Sequence, residues 1–198
     1  MLKRTGFNII LIPILILIPL FFLLSSEIPL WGMESASDIV NQFCKMDYDG
    51  FRTQISPNLH IYDLMEAGKN YDEPAWDKYI IISGYEIIRQ SQNKNGTITI
   101  TVSYSELATT NSTPQIEKNI KNETADFILV KINNTWKIRE TSVSFPKISK
   151  DSSKKWIKKW HDMITNKGIY EGKQLDAEEK SDLLYKLDNI SETINELK

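Results

Sequence analysis

The sequence predicts an α+β domain carried behind an N-terminal transmembrane helix. Three observations lead there. One unbroken apolar run lies near the start of the chain. Two Asn-centred hairpin signals sit mid-chain between alternating apolar residues. Two amphipathic helical patterns follow them.

The apolar run comes first. Fifteen of the 18 residues from Phe7 to Leu24 are apolar, and none is charged. Eighteen helical residues reach about 27 Å, close to a hydrocarbon core of about 30 Å. Pro13 and Pro19 are tolerated in a membrane helix. Trp31 lies where interfacial aromatics are enriched. Lys3 and Arg4 precede the run, so the positive-inside rule places residues 1–6 in the cytosol. The expected organisation is an anchor at 7–24 that holds the chain to the lipid bilayer, a linker at 25–34, an α+β domain at 35–146 and a helical extension at 147–198. The rival reading is a cleaved secretory signal. Its apolar core would be shorter, and the best small-residue triplet, Ser35-Ala36-Ser37, lies well downstream. Either reading puts the bulk of the chain outside the cytoplasm, at the cell membrane or, after cleavage, secreted.

Composition excludes several classes. One apolar run rules out a multi-span protein. A single cysteine rules out a disulfide scaffold. Five Trp, 8 Tyr and 7 Phe are too many for a disordered chain. A net charge of −2 does not suit a basic nucleic-acid binder. Five N-x-S/T triplets occur, at Asn95, Asn111, Asn122, Asn133 and Asn189, but a chain this rich in Asn, Ser and Thr produces them by chance.

The first soluble helix begins near Ser35 or Ser37, and Ser35 with Asp38 resembles a capping box. Ile39, Val40, Phe43, Cys44, Tyr48 and Phe51 follow helical spacing, so Cys44 reads as a buried core thiol. Gly50 marks an end or break. Residues 52–78 are punctuated by Pro57 and Pro74, with room for a short helix around Leu59, Tyr62 and Leu64.

Strand signals then follow. Tyr79–Ile82 is a short apolar run, and Tyr85–Ser91 and Thr97–Tyr104 flank Asn95-Gly96. A two-residue loop pairs Arg89 with Val102, and a four-residue loop pairs it with Ile100. Both registers put Tyr85, Ile87 and Arg89 on one face with Ile98, Ile100, Val102 and Tyr104. Arg89 is the exception on that apolar face. It either snorkels at the sheet edge or sits as a charge inside a pocket. The polar stretch 105–123 reads as an exposed loop. Ala125–Ile132 and Trp136–Ser144 surround Asn133-Asn134. A two-residue turn there pairs Phe127, Leu129 and Lys131 with Trp136, Ile138 and Glu140. The reverse face, with Ile128, Val130 and Ile132, needs cover from a helix or partner. Lys131 beside Trp136 suits a structural cation–π contact.

Two helices end the pattern. Ser152–Asn166 carries Trp156, Ile157, Trp160, Met163 and Ile164 on one stripe, and Gly168 stops it. The last helix begins near Asp176, with Glu179 as its capping-box partner. Its Leu183, Leu187, Ile190, Ile194 and Leu197 form a short seam, laid on its own domain or used for self-association or a protein partner. Lys147, Lys150, Lys154, Lys155, Lys158 and Lys159 crowd one helix, and residues 171–196 are acidic. The lysines read as a solvated face, with the acidic helix or anionic lipid as alternatives.

No metal, nucleotide or nucleophile motif appears, and the histidines, His60 and His161, stand far apart. Asp47, Asp49, Asp63 and Tyr48 are residue types that can do acid–base work, but no spacing selects them. Catalytic residues are therefore unassigned, and neither a cofactor nor a metal is expected.

The stretches SGYEIIRQSQNKNGTITITVSYSEL and ADFILVKINNTWKIRETSVSFP, across about residues 35–146, resemble nuclear-transport-factor-2-like domains. The resemblance implies a cystatin-like α+β cone, that is, a curved antiparallel sheet packed by N-terminal helices, with the two C-terminal helices as additions. It implies either a non-catalytic binding or assembly domain or a small-pocket isomerase or dehydratase. An anchor before such a domain is similar to some envelope-complex components, including a type IV secretion inner-membrane subunit. The expectation is a membrane-anchored extracytoplasmic domain that binds a protein or ligand without catalysis. The alternative is a small-pocket enzyme or lipid-type binder.

Overall fold

The computed structural model describes residues 34–53, 60–67, 78–111, 115–170 and 172–198. The chain divides into two units, Met1–Met33 and Glu34–Lys198. The expected anchor at 7–24 lies outside the described residues. Among the described residues no helix is long and apolar enough to cross a membrane.

Helix α1 spans Ala36–Tyr48. Ser35 caps it, with its side chain accepting from the Asp38 N–H and the Asp38 carboxylate accepting from the Ser35 N–H. Ala36, Ile39, Val40, Phe43, Cys44 and Asp47 form its buried stripe. The short α2, His60–Asp63, follows. Strands β1 (Ile80–Gln92), β2 (Ile98–Asn111), β3 (Gln115–Ile132) and β4 (Thr135–Thr141) form an antiparallel meander. Strand β5 (Lys147–Ser149) pairs parallel to the start of β1, so the sheet order is β4-β3-β2-β1-β5. Helix α3 (Lys150–Lys167) leaves β5 directly. The two-residue strands β6 (Ile169–Tyr170) and β7 (Lys173–Gln174) lead into α4 (Ala177–Glu196). The fold is therefore α+β, with a strongly curled five-stranded sheet and, among the described residues, four helices.

Gly168 ends α3 in the left-handed conformation (φ 62°), and Asp176 with Glu179 forms a capping box at the start of α4. Asn133 and Asn134 both have positive φ (49° and 67°), as a two-residue type I′ turn requires. Lys131 and Trp136 pair across it, with the ammonium 5.7 Å from the ring centroid.

Three expectations fail, each for a local reason. Residues 105–123 are not a loop, because β2 and β3 continue through them as paired strands. Their outward side chains are polar, so composition concealed the alternation. The first hairpin has neither an even two- nor four-residue loop. Asn93 N–H bonds to the Thr97 carbonyl (2.8 Å), enclosing Lys94-Asn95-Gly96, with Gly96 at φ 80°. That odd loop shifts the register by one, and an extra residue at Ile88, between Ile87 and Arg89, shifts it back. Ile87 therefore pairs with Val102 and Tyr85 with Tyr104 as expected, but Arg89 pairs with Thr101 on the outer face. Arg89 is exposed there and donates to the Thr101 hydroxyl at 3.2 and 3.3 Å. It neither shares the apolar face nor enters a pocket. Finally, Glu140 pairs with Ile128 rather than Phe127, because a second bulge interrupts β4.

Two apolar cores flank the sheet. The first joins α1 to the inner face, with Phe43, Ile100, Val102, Tyr104, Phe127, Leu129 and Ile138 at 0–1% exposure. Phe43 and Phe127 meet edge to face at 5.4 Å. The second core joins α3 and α4 to Tyr79, Ile81, Leu107, Ala108 and Ile148. All five seam residues of α4 lie buried in it. Each fully buried side chain of this size stabilises by about 1.5–3 kcal/mol. On the reverse face of β3, Ile128 and Val130 are half-buried. The chain at Leu64–Glu66 runs along β4, bonding through Ile138 N–H to Leu64 O and Glu66 N–H to Ile138 O, both at 2.8 Å, so this edge is capped.

Candidate functional site

The inner face does not stay apolar along its whole length. Past Tyr104 it carries Glu106 from β2, with Glu123 and Lys121 from β3, and β5 contributes Lys147. Alternation explains the placement. Val102, Tyr104 and Glu106 follow a period of two, and Glu123 and Lys121 stand opposite Tyr104 and Glu106.

Lys147 is the hub. Its ammonium bonds to Glu106 and, at 3.2 Å, to Glu123, and it lies 5.4 Å from the Tyr104 ring centroid. Its backbone N–H bonds to Asp47 Oδ2 at 2.9 Å. Asp47 in turn holds Arg52 through two bonds, from Nε at 2.8 Å and Nη2 at 2.7 Å. Arg52 Nη2 also donates to the Phe145 carbonyl, and the guanidinium covers the Phe43 ring at 5.2 Å. The side chains of Asp47, Arg52 and Glu106 are at most 1% exposed. Glu123 and Lys121 form the open end, at 46% and 48%.

Burial pushes the Glu106 carboxyl above the usual carboxylate range, helped by its hydrogen bond to Glu123 and opposed by Lys147. Accepting that bond from Glu106 holds Glu123 down at about 2, with Lys147 and Lys121 adding to the effect. Two carboxyls pushed apart in this way are the pattern of an acid–base pair. Here, however, the acid is fully buried against Lys147, so the arrangement ties β2, β3, β5 and the end of α1 together. Deeper in the same face, Cys44 Sγ lies 3.2 Å from the Tyr104 hydroxyl. Burial pushes this thiol up to about 12 and raises the Tyr104 phenol as well. Cys44 is thus a core thiol, as its place on the apolar stripe implies.

The residue types singled out in the sequence are not gathered. Asp47 belongs to the network. Asp49 is exposed and pairs with Lys45 at 2.9 Å. Tyr48 meets the Tyr85 ring edge-on at 6.1 Å. Asp63 ends α2, where its carbonyl accepts from Lys137. His60 begins α2, and His161 lies on α3, 3.5 Å from Asp188 of α4. Among the described residues, no group of three or more His, Cys, Asp or Glu could hold a metal ion.

Lys147 also corrects the reading of the lysine-rich stretch. It is 4% exposed and belongs to the interior, unlike Lys155, Lys158 and Lys159. Helices α3 and α4 meet through His161, 3.5 Å from Asp188, and through Lys180, which donates to the Thr165 carbonyl. Sequence reasoning missed Arg52, Glu106, Glu123 and Lys147. The alternation through Tyr104 was the available signal for Glu106, once β2 is continued past it.

Among the described residues, surface clefts of about 350, 390 and 400 Å³ lie against the C-terminal helices, and the network residues line none of these. In comparisons with known proteins, no family model, curated protein or solved structure matches this chain.

Proposed function

We propose that this chain is a membrane-anchored, extracytoplasmic domain that binds a protein or ligand at its surface and is not an enzyme. In this reading its folded part is a cone of the nuclear-transport-factor-2-like kind. One observation carries the non-catalytic reading. Phe43, Val40, Ile39 and Cys44 of α1 occupy the inner face of the sheet, where a small-pocket enzyme or lipid binder of this architecture would seat its ligand. The acids on that face are engaged with Arg52 and Lys147. The apolar run at 7–24 and its Lys3-Arg4 flank support the location.

The test fuses the C-terminus of the full chain to alkaline phosphatase or to green fluorescent protein in a bacterial host. The expected result is an active phosphatase fusion, a dark fluorescent fusion and an intact N-terminal segment in the membrane fraction. Crosslinking in the same cells should give a discrete adduct. A bright fluorescent fusion would overturn the location. The absence of any adduct, with turnover of a small carbonyl or alcohol substrate, would overturn the binding reading in favour of the enzyme.

A further inference from the structure

Among the described strands, β1 is paired on one edge only over most of its length. Strand β5 pairs with Ile80–Ile82, and beyond it residues 83–92 bond to β2 alone among the described strands. Glu86, Ile88, Arg89, Gln90 and Ser91 are exposed, with Ile88 at 53%. Free edges are templates for pairing with another chain.

The bulge at Ile88 gives this edge an unusual charge pattern. In a regular strand, residues three apart point to opposite faces. Here the extra residue brings Glu86, opposite Ser103, and Arg89, opposite Thr101, onto the same outer face. Among the described residues neither has an ion-pair partner, and Arg89 bonds only to a hydroxyl. Glu86 and Arg89 sit symmetrically about the point between Ile87 and Ile88. A two-fold axis perpendicular to the sheet at that point sets Glu86 of each copy against Arg89 of the other. It also keeps both inner faces on one side. Without the bulge, the parity of the strand would forbid this.

We infer that the chain self-associates through the free edge of β1, two copies pairing antiparallel about a two-fold axis between Ile87 and Ile88, with two Glu86–Arg89 ion pairs across the joint. The partner is a second copy because the charges on this edge complement themselves. The interface is isologous and closed, joining two five-stranded sheets into one. This inference rests on the protein-binding reading above and names one partner for it.

The experiment uses the full chain in detergent, with sedimentation velocity and two distinguishable tags. The native chain should dimerise. E86R alone sets Arg against Arg, and R89E alone sets Glu against Glu. Each should weaken the homodimer about tenfold or more, since cross-strand charge pairs reverse sign twice. Mixed together, the two single variants should form a heterodimer of native strength, and the double variant E86R/R89E should again form homodimers. Loss of pairing in the singles without recovery in the mixture overturns the proposal. So does a dimer indifferent to both changes. A monomeric native chain that still crosslinks to an envelope protein overturns self-pairing while leaving the wider binding reading intact.

Discussion

On the α1 side of the sheet, apolar side chains share the interior with Asp47, Arg52, Glu106 and Lys147. On the α3–α4 side, Trp156, Ile157, Trp160, Ile164 and the α4 seam pack around Tyr79 and Ile81, and the buried polar contacts are neutral ones, the Tyr79–Ser153 hydroxyl pair at 3.0 Å and the Thr110 hydroxyl against the Tyr79 backbone. The first region depends on ions whose desolvation must be matched by partners. The second depends mainly on apolar area. The difference teaches that the two fail in different ways. Removing one member of a buried ion network strands the others, whereas trimming an apolar residue loses only its own contacts and leaves a void.

The largest expected effect tests the first half of that contrast. Asp47→Ala leaves the Arg52 guanidinium buried without its carboxylate, and frees the Lys147 N–H that fixes β5. Destabilisation of about 3–5 kcal/mol is expected in chemical denaturation. A loss under about 1 kcal/mol would show that the network is not under strain from burial.

Next in size, Ile194→Ala in α4 should cost about 2–5 kcal/mol, since that side chain is 0% exposed. It should do so without splitting the transition. Ile80 and Ile82 point into the first core and Ile81 into the second, so β1 couples them. Two separated transitions by fluorescence and circular dichroism would break the comparison at its root.

The smallest effect concerns pH. Glu123 is depressed, so its share of stability is present above the ordinary carboxylate value and fades as pH falls toward about 2. Glu106 is raised, so its share is present below the ordinary value and is lost as pH rises through the elevated one. Glu123 and Lys121 are half-exposed, which screens the effect. In melting-temperature curves from pH 2 to 9, Glu123→Gln should flatten the acid limb and Glu106→Gln the limb above it. Superimposable curves would show that the two carboxyls are not shifted in opposite directions.

Much of this fold was legible. Capping boxes at Ser35 and Asp176, the Gly168 stop and both Asn-centred turns are local signals, read from neighbouring residues. The α3 and α4 stripes were legible because the second core is apolar, and helical periodicity reports apolar residues. The network was not legible. Glu106, Lys147 and Arg52 are residue types that belong on surfaces, and only tertiary pairing makes their burial tolerable. The parity of Arg89 was hidden because a three-residue loop and a one-residue bulge cancel along most of the hairpin. The polar outer face of 105–123 disguised a strand as a loop.

The parallel pairing of β5 with β1 has a consequence in time. A chain made from its N-terminus produces β1 first, yet the edge of Ile80–Ile82 stays open until β2, β3 and β4 have all emerged and Lys147 arrives. Lys147 brings with it the counter-charge for Glu106 and the backbone donor for Asp47. Until then Glu106 and Glu123 have the more distant Lys121 as counter-charge, at 3.5 and 3.6 Å, and Asp47 holds Arg52 without its bond to β5. Closure of so distant a strand pairing is slow compared with the local hairpins. Through that interval the growing domain is an unfinished sheet, and the residue that completes it is a single lysine.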